Sequence, residues 1–449
     1  MDDVRINTAG FVIREKYLSA MEAFIDQPVV KVLKGMRRVG KSVLMRLLIG
    51  RLMDKGVPGA NILYINKESL EFDALKDYLD LYRYARDYFQ GGGGVGKKYI
   101  LIDEIQEIAS WERAVASFLA DGLGDVVISG SNARLLSSEL ATLISGRYVE
   151  IPVYPLTFRE FLTFRHPRTQ ENIATATATA TATDAPGQTN ASASVSASTA
   201  STSTSTATDT DAEFSNYLKY GGLPGIHQLP VEDEVIFIYL NSILNTVLYK
   251  DVITRHKIRD ASIFDMLVRY LFDNVGNITT AKKIADYFKS QRIRTSVDTI
   301  LNYINYIEAS LLIDKAPRYD IKGKRRLEFS DKVFLNDIGL RHGLIGYRES
   351  DINGLLENVV FKELQARGYK MSIGVLDQME IDFIAEKQNE KKYIQVCYSL
   401  GGEGAVAREF GNLEKIRDNY EKIVISMDRF FPAGRNGVMH RYITDFLLE

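Results

Sequence analysis

The sequence predicts an α/β chain whose first part is built on a parallel sheet. Three observations point there: the glycine-rich string GMRRVGKS at residues 35–42, a set of short apolar runs separated by helical patterns, and the string YILIDEIQ about sixty residues further on.

The glycine-rich string lies between the apolar run Val29–Leu33 and the helical pattern Val43, Leu44, Leu47, Leu48. Strand, loop and helix in that order let successive backbone N–H groups and a helix N-terminus surround a polyphosphate. The string has the full G-x-x-x-x-G-K-[ST] form, so Gly35, Met36, Arg37, Arg38, Val39, Gly40, Lys41, Ser42 and Val43 are the expected nucleotide-binding residues. Lys41 is expected to reach the β- and γ-phosphates, and the Ser42 hydroxyl to take one Mg²⁺ position. The fold class is therefore α/β with a P-loop NTPase core.

Ile62–Ile65 (ILYI) is the second expected strand, Tyr99–Ile102 the third and Val126–Ser129 (VVIS) the fourth. Continuous apolar runs alternating with helical patterns mean a parallel sheet covered on both faces. A strand and helix lie between the loop and YILIDE, which suggests that another strand separates those two in the sheet. Asp103 and Glu104 fall at the carboxyl end of the third strand, where open α/β sheets bind ligands. Asp103 is expected to hold Mg²⁺ and Glu104 to polarise the attacking water. Two successive acids favour hydrolysis over a simple switch, although acids also cap helices. The Gly91–Gly94 run has no following Lys-Ser and reads as a surface turn.

After the fourth strand, ISGSNARLL offers Ser131 or Asn132 either as a reader of the γ-phosphate or as a helix cap. In SGR, Arg147 is a candidate charge donor to the transition state, in cis or toward a neighbouring subunit, or a plain surface arginine.

At 449 residues the chain has room for two to four domains, and 45% hydrophobic with 25% charged residues is the composition of a globular protein. A formal net charge of −2 excludes a global basic field, so nucleic-acid contact requires a local patch. Cys397 is the only cysteine, which excludes an internal disulfide and a thiolate zinc site. The polar N-terminal stretch and the lack of an apparent apolar run of 18–20 residues lead to the expectation of a cytoplasmic protein with no membrane contact.

Residues 172–212, made of Ala, Thr and Ser repeats, offer almost nothing large to bury and are expected to form a disordered insertion. From about 231 to 312 the period is helical, with Val235, Ile238, Ile243 and Val247 in one stretch and Val297, Ile300, Leu301, Ile304, Ile307 and Leu311 in another. A Gly-centred hairpin pattern follows, and helix, turn, helix and hairpin outline a winged helix. Its segment 315–332 carries seven basic and three acidic side chains. That excess suits a DNA backbone, with Asn302, Asn305 and Tyr306 near base edges, or else a solvated hairpin in an adaptor. From about 351 a helix (LLENVVFKELQARGY) and three strands (MEIDFIAE, YIQVCYSL, EKIVISMD) form another α/β block. There Glu357, Glu380 and Asp382 outline an acidic pocket like that of a metal-dependent nuclease. Gln395 and Cys397, however, stand where such a centre needs a second metal-binding acid and a lysine. Nuclease activity is therefore not expected.

GMRRVGKS, YILIDEIQ, GSNARLL, SGR followed by PLTFREF, and YGGLP together resemble a widespread prokaryotic AAA-type ATPase family. In it an ATPase core precedes a winged helix and a C-terminal nuclease-like domain, and the similarity spans nearly the whole chain except the Thr/Ser/Ala insertion. The resemblance implies an ATPase core at 1–165, a helical lid at 214–260, a winged helix at 261–345 and a nuclease-like α/β domain at 346–449. It implies ATP and Mg²⁺ as cofactors and supports Ser131, Asn132 and Arg147 as nucleotide-state readers. Gln395 and Cys397 depart from the E-x-K strand of active PD-(D/E)xK nucleases. The expected function is a Mg²⁺-dependent ATPase that couples nucleotide state to the winged helix and a degenerate nuclease-like domain, with Glu104, Lys41, Asn132 and Arg147 as its catalytic set. The alternatives are a nucleotide switch or DNA-binding regulator with little hydrolysis, and an ATP-licensed nuclease. Expected partners are nucleotide, DNA through the hairpin, and a further copy of the chain or another protein.

Overall fold

The computed structural model describes residues 10–92, 94–133, 144, 146–167, 199–402 and 404–449. The chain forms two compact units. The first comprises Met1–Pro155, Ile243–Asp265 and Thr295–Asp314; the second comprises Leu156–Ser242, Met266–Arg294 and Lys315–Glu449. The expected divisions at 214–260 and 261–345 do not coincide with these units, because the chain crosses from one to the other repeatedly within them.

In the first unit β1 (Val30–Lys34), β2 (Ile62–Asn66), β3 (Tyr99–Asp103), β4 (Asp125–Gly130) and β5 (Tyr148–Pro152) form one sheet in the order β2-β3-β4-β1-β5. Every pairing is parallel. As expected, a strand separates β1 from β3, and that strand is β4. Val30, Val32, Ile65, Ile100, Ile102, Val126 and Ile128 form the core with Phe89, Trp111 and Phe118 from the covering helices. Burial on both faces is why these strands read as mainly apolar runs, broken in β1 by Lys31, which pairs with Asp125 of β4. β5 went unread because its sequence YVEIP is half exposed and ends in proline, as suits an edge strand.

The second sheet contains β6 (Ile278–Thr279), β7 (Ile313–Asp320), β8 (Arg325–Leu335), β9 (Lys370–Leu376), β10 (Met379–Lys387), β11 (Glu390–Val396), β12 (Glu421–Ser426), β13 (Gly434–Arg435) and β14 (Val438–Tyr442). Their order is β13-β14-β12-β11-β10-β9-β7-β8-β6. β10 pairs antiparallel with β11, Phe383 opposite Ile394, and β11 pairs parallel with β12. β7 lies between β8 and β9, so the basic hairpin is part of a sheet and not a free wing.

The segment 172–212 lies outside the described residues as far as 198. From Thr199 the chain is helical through to Tyr220, which corrects the expectation of disorder for 199–212. Buried Phe214, Tyr217 and Leu218 anchor this helix, and Asp211 accepts from Arg429 and Tyr442, each at 2.9 Å. A second correction concerns membrane-length runs. The helical stretch Asp233–Thr254 is 22 residues long and contains an 18-residue window of mean hydropathy 1.2, enough to cross a membrane by length and composition, and 44% of that window is buried in the protein. Asn241, Ser242, Asn245 and Thr246 interrupt it in the sequence, which is why it did not read as one run.

The YGGLP string is explained by Asp337. Its carboxylate accepts from the Gly222 N–H at 2.7 Å and caps the helix Ile338–Ile345 through the Leu340 N–H at 3.2 Å. Gly221 sits at φ +76°, and a Cβ there would lie 2.4 Å from that carboxylate. Asp337→Ala would leave these buried N–H groups unpaired and should cost about 1–3 kcal/mol, read as a lower urea midpoint.

Candidate functional site

The phosphate-loop string occupies the turn between β1 and the helix Lys41–Asp54, at the carboxyl edge of the sheet. Two of its glycines are required by geometry. A Cβ on Gly35 would lie 2.3 Å from the Val153 carbonyl, and Gly40 has φ +99° as the N-cap of the helix. Among the described residues no side chain caps that helix end, which leaves its first N–H groups to the loop interior, as an anion site requires. The buried Lys41 ammonium donates to the Gly35 and Met36 carbonyls at 2.9 and 3.1 Å. Met36 and Val39 are buried, and Arg38 is exposed with φ +66°. Ser42 and Val43 are half-buried in the first helical turn. Arg14, missed in the sequence, braces the loop by donating to the Val39 carbonyl at 3.1 Å and the Tyr154 carbonyl at 3.0 Å.

Asp103 ends β3 and is buried. It accepts from the Ser129 hydroxyl of β4 and, at 3.4 Å, from the Tyr64 hydroxyl of β2. Glu104 follows in a left-handed conformation (φ 55°), which turns its side chain out of the strand register. Its carboxylate lies 3.7 Å from Lys41 Nζ and 3.9 Å from Arg37 Nη2, and it accepts from Gln106 and, at 3.2 Å, from the Ser131 hydroxyl. Burial alone would raise the Glu104 carboxyl, but Lys41, Arg37 and these two hydrogen bonds outweigh it and hold it below the usual carboxylate range. Burial lowers the Lys41 ammonium despite Glu104 and Asp103 beside it. An uncapped helix end, an ammonium at its mouth and two adjacent carboxylates on the next strand but one match what a triphosphate–Mg²⁺ pair needs. Ser42 and Asp103 are the groups that would hold the metal, which would supply charge neutralisation on the phosphates.

Arg37 points inward rather than toward solvent. Asp251, far along the chain, accepts from its Nε at 2.6 Å and its Nη2 at 3.1 Å, while Glu68 lies 3.2 Å away. No local sequence signal links residues 214 positions apart.

Among the three nucleotide-reader candidates, Ser131 contacts Glu104, and half-buried Asn132 follows just beyond β4. The Gly35 N–H donates to Gly130 O at 3.3 Å, which places this turn beside the loop. Residues 134–136 of GSNARLL and Ser145 of SGR lie outside the described residues. Arg147 requires a correction. It precedes β5 at the amino edge of the sheet, where its carbonyl accepts from the Val30 N–H at 3.0 Å. That edge is four residues of strand, roughly 13 Å, from the edge that carries the loop. Arg147 therefore does not serve its own chain's phosphate loop, and only the role toward a neighbouring subunit stands as a proposal.

In the second unit β10 and β11 pair, and the Gln395 side chain accepts from the Asp382 N–H at 2.7 Å while donating to Glu409 at 2.9 Å. Cys397 is core, its thiol pushed up to about 12 by burial. The lysine lacking from β11 comes instead from β8. Lys332 Nζ lies 2.9 Å from Glu357, 2.7 Å from Glu380 and 3.6 Å from Asp382. Burial opposes its charge, but the three carboxylates hold its pKa above the usual lysine range. Among the described residues no group of three or more His, Cys, Asp or Glu side chains is arranged to hold a metal. The acids are closed around the Lys332 ammonium, and this arrangement does not fit a metal. Lys332→Met should destabilise the fold by about 3–5 kcal/mol. With Glu357 and Asp382 raised further by losing their cation, that loss should be greatest at neutral and alkaline pH and shrink toward pH 4, as melts across pH would show.

Lys332 is thereby withdrawn from the basic hairpin, and Lys322 is paired with Asp377 at 2.6 Å. Lys324, Arg325 and Arg326 remain exposed at its tip. In the helix Val297–Ala309, Asn302 is exposed, Asn305 is half-buried, and Tyr306 stacks on His256 with ring centres 3.9 Å apart.

Residues 27–162 match an AAA domain, and residues 211–351 match a domain of unknown function (DUF8612). An uncharacterised protein of Haemophilus influenzae is 35% identical over 442 residues, 98% of this chain and 99% of that protein. The chain belongs to this family of AAA-domain proteins. An uncharacterised relative from Methanocaldococcus jannaschii is 27% identical over 383 residues, 83% of this chain and 75% of its own length. The Walker-type ATPase of Pyrococcus abyssi covers 74% of this chain and 96% of its own at 13% identity, with a TM-score of 0.48. The AAA domain of this family contains β1–β5, Lys41, Asp103 and Glu104, whereas Asp251 lies in the second matched region.

Proposed function

We propose that the chain is a cytoplasmic Mg²⁺-dependent ATPase. The observation that carries this reading is the Lys41–Glu104 approach of 3.7 Å at the uncapped end of the helix Lys41–Asp54. Lys41 and the loop N–H groups would neutralise the phosphates, and Ser42 and Asp103 would place the metal. Glu104 would orient and deprotonate the attacking water once the phosphates draw Lys41 away from it, with Ser131 and Gln106 fixing the carboxylate. Asn132 is the proposed γ-phosphate reader. ATP is preferred over GTP in this reading, since no N-K-x-D string accompanies the loop.

The same reading couples nucleotide state to the winged-helix elements and the nuclease-like unit. Its support is connectivity: the segment Ile243–Asp265 returns to the first unit between stretches of the second. Phosphate release by the full chain, with Mg²⁺ or with EDTA, tests the enzyme, and adding duplex or single-stranded DNA tests the partner. Mg²⁺-dependent release supports the proposal. Release at the buffer rate under all conditions contradicts it.

A further inference from the structure

The segment Ile243–Asp265 contains a widened π-helical turn, Val247–Thr254, a geometry that recurs at functional sites. Three of its neighbouring charges are engaged near the phosphate loop. Asp251, almost fully buried, takes the Arg37 guanidinium in a two-point pair at 2.6 and 3.1 Å. Lys250 lies 3.7 Å from Glu107, on the short turn that follows Glu104. Arg255 lies 3.6 Å from Asp251, and its Nη1 is buried without a hydrogen-bond partner among the described residues.

Four carboxylates surround Arg37: Asp251, Glu68 at 3.2 Å, Glu104 at 3.9 Å and Glu107 at 4.0 Å. Only Asp251 is both buried and bidentate, the arrangement that fixes a guanidinium in orientation as well as in place. Glu104 is the next buried acid in reach, and a guanidinium released from Asp251 would close the 3.9 Å gap to it. A carboxylate clamped by Arg37 would be unable to take a proton from water.

We propose that Asp251 is a positioning residue of the nucleotide site: by holding Arg37 it keeps the guanidinium off Glu104, so that this carboxylate is free to act on water once phosphate takes Lys41. The inference rests on the ATPase reading above. It gives the returning segment a defined task there, since displacement of the π-helical turn would switch hydrolysis off without closing the phosphate loop to nucleotide.

The test uses the full chain and measures kcat, KM, ATP–Mg²⁺ affinity and nucleotide-free melting for D251N, D251E, R37A and R37A/D251N. Asp251→Asn should lower kcat by at least about tenfold and change nucleotide affinity by less than about threefold. Asp251→Glu should recover most of the lost rate. Because Asp251 acts through Arg37, R37A and R37A/D251N should turn over within about threefold of each other. In the nucleotide-free melt, D251N, which leaves Arg37 without its main partner, should melt below R37A/D251N. Wild-type kcat in D251N overturns the proposal, as does an equal loss of affinity and rate. If D251N does not fold, the R37A pair decides, and a further tenfold loss on adding D251N to R37A overturns the proposal. Absence of any turnover in the wild-type chain removes the ATPase reading and this inference together, whereas wild-type turnover that ignores Asp251 removes this inference alone.

Discussion

Glu104→Gln in the full chain should bind ATP–Mg²⁺ with affinity within about threefold of wild type and release phosphate at least about 100-fold more slowly. The substitution keeps the side-chain volume and an oxygen able to accept from Ser131 or Gln106, so the surroundings of the loop are preserved. What disappears is the carboxylate 3.7 Å from Lys41 Nζ that would take a proton from water. Radiolabelled ATP retention in the variant, set beside its steady-state phosphate release, separates the two effects. Turnover at the wild-type rate would remove Glu104 from the mechanism.

Lys41→Ala should abolish nucleotide stabilisation. For a chain that binds ATP–Mg²⁺, ligand at about 100 times Kd raises stability by about 2.7 kcal/mol. That gain should vanish in the variant at the same concentration. The nucleotide-free melting point will also move, because Lys41 holds the Gly35 and Met36 carbonyls. The informative quantity is thus the shift on adding nucleotide, not the absolute midpoint. A full ligand-induced shift in Lys41→Ala would mean that nucleotide, if bound, sits elsewhere.

The parts of this fold that were legible in the sequence are those whose cause is local. GMRRVGKS announces its own turn, and β1–β4 announce themselves because burial on both faces leaves mainly apolar runs. The elements between β1 and β3 in sequence suggested that another strand separates them in the sheet, and that strand is β4. β5 escaped because an edge strand needs no such run. The site is harder to read, since its finishing contacts are non-local. Arg37 was legible only as a member of the phosphate-loop string; its burial against Asp251 was not, because no composition rule connects them. Lys332 read as a DNA-facing cation in a basic hairpin, yet pairing of β8 within a larger sheet turns it onto Glu357, Glu380 and Asp382. The objection that Gln395 and Cys397 leave that cluster without an ammonium assumed that a lysine must come from the same strand. The role of Arg147 toward its own chain's loop was misread for a related reason: its distance in sequence from the loop gave no hint that it precedes a parallel strand at the opposite end of the sheet.

The central claim is that the Gly35–Ser42 turn, overlooked by Asp103 and Glu104, binds a nucleoside triphosphate with Mg²⁺. Isothermal titration of the full chain with ATP–Mg²⁺ tests it most directly. The account predicts saturable binding at one site per chain, lost in Lys41→Ala and retained in Glu104→Gln. No saturable heat from the wild-type chain, or unchanged binding by Lys41→Ala, would contradict it.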